Sequence, residues 1–162
     1  MEASGYQTLC VVNPKSANGR TRKAWSNIER ALVNRNIEID VQYTRGPGDA
    51  TLITRKALQS GYNRIVSVGG DGTLNEVVNG FFDKNQHHIN PEACLSFVPL
   101  GTGGDFARMF NMNRDIDTIF RLFTDPQVCR CDLVLATYTG WQEMEERRFY
   151  INEADVGLGS AT

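Results

Sequence analysis

The 162-residue sequence lacks the strong charge bias of proteins that bind polyanions through bulk electrostatics. It holds 17 basic and 19 acidic residues, which gives a formal net charge of −2. A nucleic-acid-binding domain usually carries a basic patch or stripe, so this composition argues against a nucleic-acid partner. The hydrophobic fraction of 41% and the charged fraction of 22% are ordinary for a globular domain.

The sequence shows no pattern of a signal peptide or a membrane-spanning helix. The segment before the first strand pattern is short, and residues 1–5 carry one acidic and no basic side chain. They lack the basic start and the apolar stretch of a signal peptide. Uninterrupted apolar runs are only a few residues long, whereas a transmembrane helix needs roughly 20 residues. We therefore expect a cytoplasmic protein whose contact with a membrane, if it makes one, is peripheral.

Cysteine is sparse, and its spacing indicates no metal or redox motif. The four cysteines, Cys10, Cys94, Cys129 and Cys131, form no C-x-x-C pair. Cys129 and Cys131 show the alternation of a strand, which would place both sulfurs on one face. We expect reduced, mostly buried thiols.

The sequence does contain a regular alternation of strand and helix patterns. The alternating order of strands and helices predicts a parallel sheet with helices on both faces. Within it, Asp49 is the predicted N-cap of the second helix, and Trp141 is expected near the tip of a final hairpin. Strand patterns occupy residues 8–12, 37–43, 64–68, 95–100, 128–138 and 148–151, and helical patterns occupy residues 20–34, 49–61, 74–82, 105–110 and 116–123.

The central motif is Gly69-Gly70-Asp71-Gly72-Thr73, where the third strand passes into a helix. Glycines allow the backbone to approach a ligand without a Cβ in the way. The following helix directs its free N–H groups and positive dipole end at the same place, which suits a phosphate. Neither the P-loop pattern nor the G-x-G-x-x-G pattern is present, which argues against P-loop NTPases and ordinary dinucleotide dehydrogenases.

Asp71 needs an explanation in a phosphate site. Two unit charges of like sign at ~4 Å, in an effective dielectric of ~20, repel by about 4 kcal/mol. The carboxylate would therefore face a Mg²⁺ ion, accept a proton, or serve as a structural turn residue. The residues alone leave these three alternatives open.

Two further loops and one strand contribute candidate ligands. Residues 13–19 offer amide, hydroxyl and ammonium donors, although N-P-x-S is also good turn chemistry. Residues 99–108 place Asp105 at a second glycine-rich turn, and Asp132 follows Cys131. The carboxylates of Asp71, Asp105 and Asp132 could converge on a hydrated Mg²⁺, or Asp132 could be a surface strand residue.

Together these motifs resemble the diacylglycerol kinase catalytic domain. The run V-G-G-D-G-T-L-N-E-V-V-N at residues 68–79 is similar to the family's signature. The G-G-D-G-T core is shared with NAD kinases and 6-phosphofructokinases, while the Asn-Pro-x-Ser start and the G-T-x-x-D-F-A-R loop favour the lipid kinases. Further matching segments lie, in family order, at residues 12–16, 44–50, 99–108, 132–133 and 149–152.

The resemblance implies an α/β fold, a Rossmann-like three-layer nucleotide-binding domain of the phosphofructokinase and NAD kinase type. It also implies ATP and Mg²⁺ as cofactors, and transfer of the γ-phosphoryl group to the hydroxyl of diacylglycerol or a similar lipid at a membrane surface. Asp71 is the implied catalytic residue, and Asp71, Asp105 and Asp132 are implied to reach Mg²⁺ through water. The implied ATP-binding residues are Asn13, Pro14, Lys15, Ser16, Thr44, Gly70, Asp71, Gly72, Thr73, Leu74, Asn75, Glu76 and Thr102.

The sequence also departs from the family pattern. Gly104 stands where many members have asparagine. Residues 1–136 are predicted to form the nucleotide-binding domain, and residues 137–162 the first strands of an incomplete β-sandwich domain. We therefore expect a fragment that lacks the acceptor-side domain and is inactive alone. The alternatives are a non-catalytic ATP-binding module and a kinase of the same superfamily that acts on NAD or a sugar.

Overall fold

A four-stranded parallel sheet forms the centre of the fold. The computed structural model describes residues 5–102, 104–112, 114–140 and 142–152. The strands lie in the order β2-β1-β3-β4, which confirms the predicted parallel α/β architecture. Their bounds are Thr8–Val12 for β1, Asp40–Tyr43 for β2, Arg64–Gly69 for β3 and Cys94–Pro99 for β4.

Helices cover both faces of this sheet, as the alternation predicts. Cys10 and Val12 of β1 face a cluster formed with α1 and α5, whereas Leu9 and Val11 face a cluster formed with α2 and α3. The fully buried Trp25 belongs to the first cluster. The helices are α1 (Arg20–Val33), α2 (Asp49–Gln59), α3 (Asp71–Gly80), α4 (Asp105–Met109) and α5 (Ile116–Thr124).

The strand order reverses at β1. The chain first adds β2 on one side of β1 and then returns to place β3 on the other side, with Val12 paired to Tyr43 and to Val68. In open α/β sheets the crevice for a ligand lies outside the carboxyl ends of the strands at such a switch point. The loops that follow β1 and β3 meet at this place.

A two-stranded antiparallel hairpin packs beside α3. Its strands are β5 (Val134–Thr139) and β6 (Glu145–Tyr150), with Leu135 opposite Phe149. The Phe149 ring stacks on Phe82 with centroids 3.9 Å apart. An isolated hairpin is marginally stable in water, so this packing supports it.

Several predicted boundaries are wrong. The strand predicted at 128–138 begins only at Val134, and residues 126–133 have no regular structure. The strand predicted at 37–43 begins at Asp40, although Ile37 and Ile39 pack on the core. The N-cap of α2 is Gly48, while the Asp49 carboxylate accepts a hydrogen bond from the Arg45 N–H at 2.7 Å. Apolar alternation reports packing on the core, which extends beyond the hydrogen-bonded strand.

The final hairpin and the cysteines were also predicted from the sequence. The hairpin is confirmed, but Trp141 lies outside the described residues, and the domain boundary at 136/137 stays a prediction. All four cysteines are free. The expectation of mostly buried thiols is wrong: Cys10 is buried, Cys94 is half-buried, and Cys129 and Cys131 are exposed, because their segment is no strand.

No helix in the described ranges is long and apolar enough to span a bilayer.

Candidate nucleotide-binding site

A cleft of about 790 Å³ opens at the switch point, above the carboxyl ends of β1 and β3. It brings together the loop after β1, the residue after β2, the start of α3 and the loop after β4. Its volume falls in the range of small-molecule sites, roughly 300–1,000 Å³. The lining residues are Asn13, Lys15, Ser16, Ala17, Thr44, Gly46, Pro47, Ala50, Gly70, Asp71, Gly72, Thr73, Asn75, Glu76, Gly101, Thr102 and Arg148.

The glycine-rich turn after β3 supplies an open helix end. The N-cap of α3 is Gly70, and no side chain caps the first turn. A Cβ added to Gly72 would meet no atom within 4 Å, so this position faces open space. The uncapped N–H groups and the positive end of the helix dipole therefore remain available to an anion.

The two glycine-rich turns pack backbone against backbone. A Cβ on Gly101 would lie 2.8 Å from the Gly70 nitrogen and still closer to its Cα. The N–H groups of Leu100 and Gly101 both donate to the Gly69 carbonyl, at 2.9 Å and 2.8 Å. Glycine is therefore required at 101 for the close approach of the two loops.

Asp71 connects the two turns with one carboxylate oxygen and leaves the other without a protein partner. Oδ2 accepts a hydrogen bond from the Gly104 N–H at 2.9 Å. Oδ1 is buried and has no hydrogen-bond partner within the described part of the chain. Because a buried polar oxygen normally has a partner, the second oxygen is arranged for a water, an ion or a ligand.

Asn13 organises the loop after β1. Its side-chain N–H donates to the Thr73 hydroxyl at 3.0 Å, and its Oδ1 accepts from the Lys15 N–H at 3.0 Å. Lys15 Nζ in turn donates to the Arg45 carbonyl at 3.3 Å. This network fixes the first loop against the start of α3, so Asn13 shapes the cleft as well as lining it.

Thr44 and Ser16 are positioned by the neighbouring loops. The Thr44 N–H donates to the Val12 carbonyl at 2.9 Å, which holds it beside the end of β1. The Ser16 and Thr21 hydroxyls are 2.5 Å apart, and Thr21 donates to the Leu100 carbonyl at 3.0 Å. The first and last loops of the cleft are thereby joined.

Some predicted site residues have other roles. Leu74 is fully buried and packs in the core beside α4, and Pro14 shares the first loop without lining the cleft. Glu76 lines the cleft, but its carboxylate accepts from the N–H groups of Gly48 at 2.9 Å and Ala50 at 3.2 Å. It thus caps the start of α2 from a neighbouring helix.

The predicted metal carboxylates are not preassembled. Asp105 is exposed and pairs with Arg108, and Asp132 is exposed in the irregular segment 126–133. Within the described ranges, no three His, Cys, Asp or Glu side chains form a metal-binding group. The prediction concerned a hydrated ion reached through water, and it stays a prediction.

Sequence reasoning missed two residues of this region. Arg148 of β6 lines the cleft, and Asn79 of α3 binds the backbone of Phe149 through two hydrogen bonds. The basic pair at 147–148, next to an aromatic strand, was the available signal for Arg148. Asn79 is the last residue of the family-like run at 68–79, but nothing in that run indicated its contact with Phe149.

The family model described as the diacylglycerol kinase catalytic domain matches residues 7–136. The chain belongs to this family. The match includes the loop after β1, both glycine-rich turns and all four strands of the parallel sheet.

Relatives within the diacylglycerol kinase family are similar at modest identity. The chain is 32% identical over 123 residues to a diacylglycerol kinase of Staphylococcus haemolyticus, covering 76% of this chain and 36% of the relative. It is 28% identical over 123 residues to that of Staphylococcus saprophyticus, covering 76% and 39%. The chain spans less than half the length of the curated relatives it matches.

Solved structures show the same fold. A crystal structure of a diacylglycerol kinase from Bacillus anthracis matches with a TM-score of 0.65 and 26% identity, over 83% of this chain and 45% of that one. The Rossmann-like α/β arrangement expected from the sequence is therefore confirmed by the sheet and by this likeness.

Proposed function

We propose that this domain binds ATP with Mg²⁺ and forms the nucleotide side of a kinase that phosphorylates a lipid hydroxyl. The observation that carries the proposal is the uncapped start of α3 at the cleft, next to a buried Asp71 oxygen without a protein partner. Phosphoryl transfer depends mainly on positioning and on charge stabilisation, and this arrangement offers both.

The phosphates would lie over residues 70–73. The backbone N–H groups at the helix start suit phosphate oxygens, and Gly72 leaves room for them. Lys15 and Arg148 are the two basic side chains among the described lining residues. The nucleoside would extend toward the loop after β1, Thr44 and Thr102.

The residues present fit a Mg²⁺ ion that is bound by few protein side chains and mostly by water and phosphate. Mg²⁺ typically keeps several waters and binds one or two carboxylates together with substrate phosphates. Asp71 would contribute its free oxygen, with Asp105 and Asp132 reached through water. When bound, the ion neutralises phosphate charge. In the alternative role, the free Asp71 oxygen would accept the proton of the acceptor hydroxyl.

The lipid acceptor is supported by family membership. The relatives from Staphylococcus are named diacylglycerol kinases, and the chain matches their catalytic-domain model. Diacylglycerol or a similar lipid alcohol, met at a membrane surface, is therefore the proposed acceptor.

Calorimetric titration of the 162-residue chain with ATP and Mg²⁺ tests the nucleotide part of the proposal. We expect saturable binding at or below about millimolar ATP, as for ordinary kinase substrates. A folded sample that binds no nucleotide at that concentration would contradict the proposal. The acceptor class is tested in a protein that joins this domain to an acceptor-side domain, by transfer of labelled phosphate from ATP to diacylglycerol in mixed micelles, with NAD and sugars as parallel acceptors. The 162-residue chain is expected to be inactive in the same assay.

A further inference from the structure

Arg148 is the one described residue of the β5–β6 hairpin that lines the nucleotide cleft. Its side chain is exposed, and the remainder of the cleft comes from the α/β domain. The hairpin therefore brings a second basic side chain to the site, beside Lys15, which donates to the Arg45 carbonyl. The Arg148 guanidinium is within hydrogen-bonding reach of the Tyr138 hydroxyl on β5, an exposed partner that a phosphate could replace.

The position of Arg148 is fixed by its neighbour in the chain. The Asn79 side chain donates to the Phe149 carbonyl at 2.8 Å and accepts from the Phe149 N–H at 3.0 Å. This two-way bond pairs the amide with the β6 backbone as another strand would. The stacking of Phe149 on Phe82 adds a second attachment.

The attachment and the phosphate-binding turn belong to one helix. Asn79 lies eight residues after Asp71 on α3, a separation of about 12 Å along the axis. The same rigid element thus presents its N-terminus to the ligand and holds the strand that carries Arg148.

The acidic side chains that line the cleft do not pair with Arg148, so its guanidinium can bind a phosphate. Asp71 and Glu76 are the acidic lining residues among those described, and the Glu76 carboxylate is taken by the N–H groups at the start of α2. Arg147, the adjacent residue, pairs with Glu145 at 2.9 Å and does not line the cleft. A guanidinium binds phosphate oxygens through two parallel hydrogen bonds, which adds both strength and geometric specificity to the contact.

We propose that Arg148 is a phosphate-binding residue supplied by the hairpin, and that Asn79 is the positioning residue that holds it at the cleft. The inference rests on the proposed function, since the ligand it contacts is the polyphosphate of a nucleotide.

The test compares Arg148→Gln with the matched control Arg147→Gln in the 162-residue chain. ATP, ADP and AMP are titrated with Mg²⁺ into each variant by calorimetry, and thermal unfolding verifies the fold. We expect Arg148→Gln to weaken ATP binding by at least about tenfold, as loss of a charge-assisted hydrogen bond does, with AMP binding changed less than about threefold. Arg147→Gln should change every affinity less than about threefold, because Arg147 does not line the cleft. Its exposed ion pair with Glu145 should also contribute little to the fold.

A second comparison tests the positioning role of Asn79. Asn79→Ala should weaken ATP binding about as much as Arg148→Gln, and the double variant should be no worse than Arg148→Gln alone, because both changes remove one contact. Asn79→Asp, which keeps the acceptor for the Phe149 N–H, replaces the alanine variant if that one does not fold.

The outcomes are distinguishable. If the wild-type chain binds no nucleotide, the proposed function is overturned and this inference falls with it. If the wild type binds ATP and Arg148→Gln binds it equally well, only the inference is overturned. Equal weakening of AMP and ATP would also overturn it, because the contact would then not be to the terminal phosphates. If the losses of ATP affinity add in the double variant, Asn79 does not act through Arg148 and its positioning role is overturned.

Discussion

The two glycine-rich turns of this domain look alike in sequence and differ in structure. Each follows a buried strand and places an aspartate at the start of a helix. Asp71, in the first turn, is half-buried, bonded to the second turn, and has one oxygen without a protein partner. Asp105, in the second turn, is exposed and pairs with Arg108 of its own helix.

The helices that follow explain the difference. α3 has 10 residues and is anchored in the core by buried residues such as Leu74 and Val77. α4 has only 5 residues. A longer, anchored helix presents a fixed N-terminus and a stronger dipole to a ligand. The glycines of both turns therefore report the close approach of the two backbones, and both helices are anchored, since Phe106 and Ala107 of α4 pack in the same cluster as Leu74. The turns differ in the length of the helix that follows and in the burial of its first aspartate.

The largest expected effect comes from the contact between the turns. Gly101→Ala would place a Cβ against the backbone of Gly70, which has no flexible end to move away. We expect a loss of about 3 kcal/mol in the free energy of unfolding, typical of overpacking a rigid site. Urea denaturation measures it, with Gly46→Ala as the control because no atom lies within 4 Å of that Cβ. Equal stability of the two variants would show that the turns can separate freely.

The next effect concerns the two aspartates. Asp71→Asn keeps an acceptor for the Gly104 N–H but removes the charge. In a protein that joins this domain to an acceptor-side domain, we expect phosphoryl transfer to fall at least about 100-fold, the usual contribution of a positioned charge or base. Without Mg²⁺, ATP binding should strengthen, since a like charge beside the phosphates is gone.

Asp105→Asn is the matched comparison and should cost less than about tenfold, because its carboxylate is exposed and screened. The transfer assay measures turnover, and calorimetry with and without Mg²⁺ gives a readout independent of turnover. Equal losses in the two variants would make the turns functionally equivalent and would end the distinction drawn between them.

Gly72→Ala separates ligand contact from folding. Its Cβ would touch no protein atom, and alanine is the better helix former, so stability should stay equal or rise by up to about 1 kcal/mol. ATP affinity should nevertheless fall about tenfold, or about 1.4 kcal/mol, because the methyl group occupies the space for phosphate. Thermal unfolding and ATP titration of the same sample test both parts. Unchanged affinity would place the phosphates elsewhere.

The smallest expected effect is on the cap that α3 provides for α2. Glu76→Gln removes the charge that faces the Gly48 and Ala50 N–H groups. The loss should be about 1 kcal/mol of unfolding free energy, as for a helix-end charge and a capping bond. Urea denaturation with Glu38→Gln, an exposed surface change, as the control measures it. A loss no greater than that of the control would contradict the capping role of Glu76.

The sequence was sufficient for the strand–helix order because each element has a clear period. Val11 and Val12 alternate between two cores, and α5 shows its buried stripe at Ile119, Phe120 and Phe123. Residues 128–133 were misassigned because Cys129, Cys131 and Leu133 alternate with polar residues but have no partner strand to bond. A periodic pattern records side-chain preference, and strand formation also requires a neighbour.

The candidate site was predictable wherever one loop determined it. Asn13, Lys15, Gly70 and Thr102 all line the cleft, as the resemblance implied. The roles of Glu76 and Asn79 depend on partners 26 and 70 residues away in sequence, so no local pattern encodes them. Contacts between elements are visible only after the helices are packed.

The Glu76 cap also changes the effective charge that an incoming anion encounters. The described lining residues include two basic side chains, Lys15 and Arg148, and two acidic ones, Asp71 and Glu76, so the formal sum is zero. The Glu76 carboxylate, however, is compensated by the positive end of α2. With the Glu76 charge compensated, the remaining charges of the cleft sum to a positive value near the N-terminus of α3. A chain with a net charge of −2 can therefore still attract a polyphosphate to this cleft.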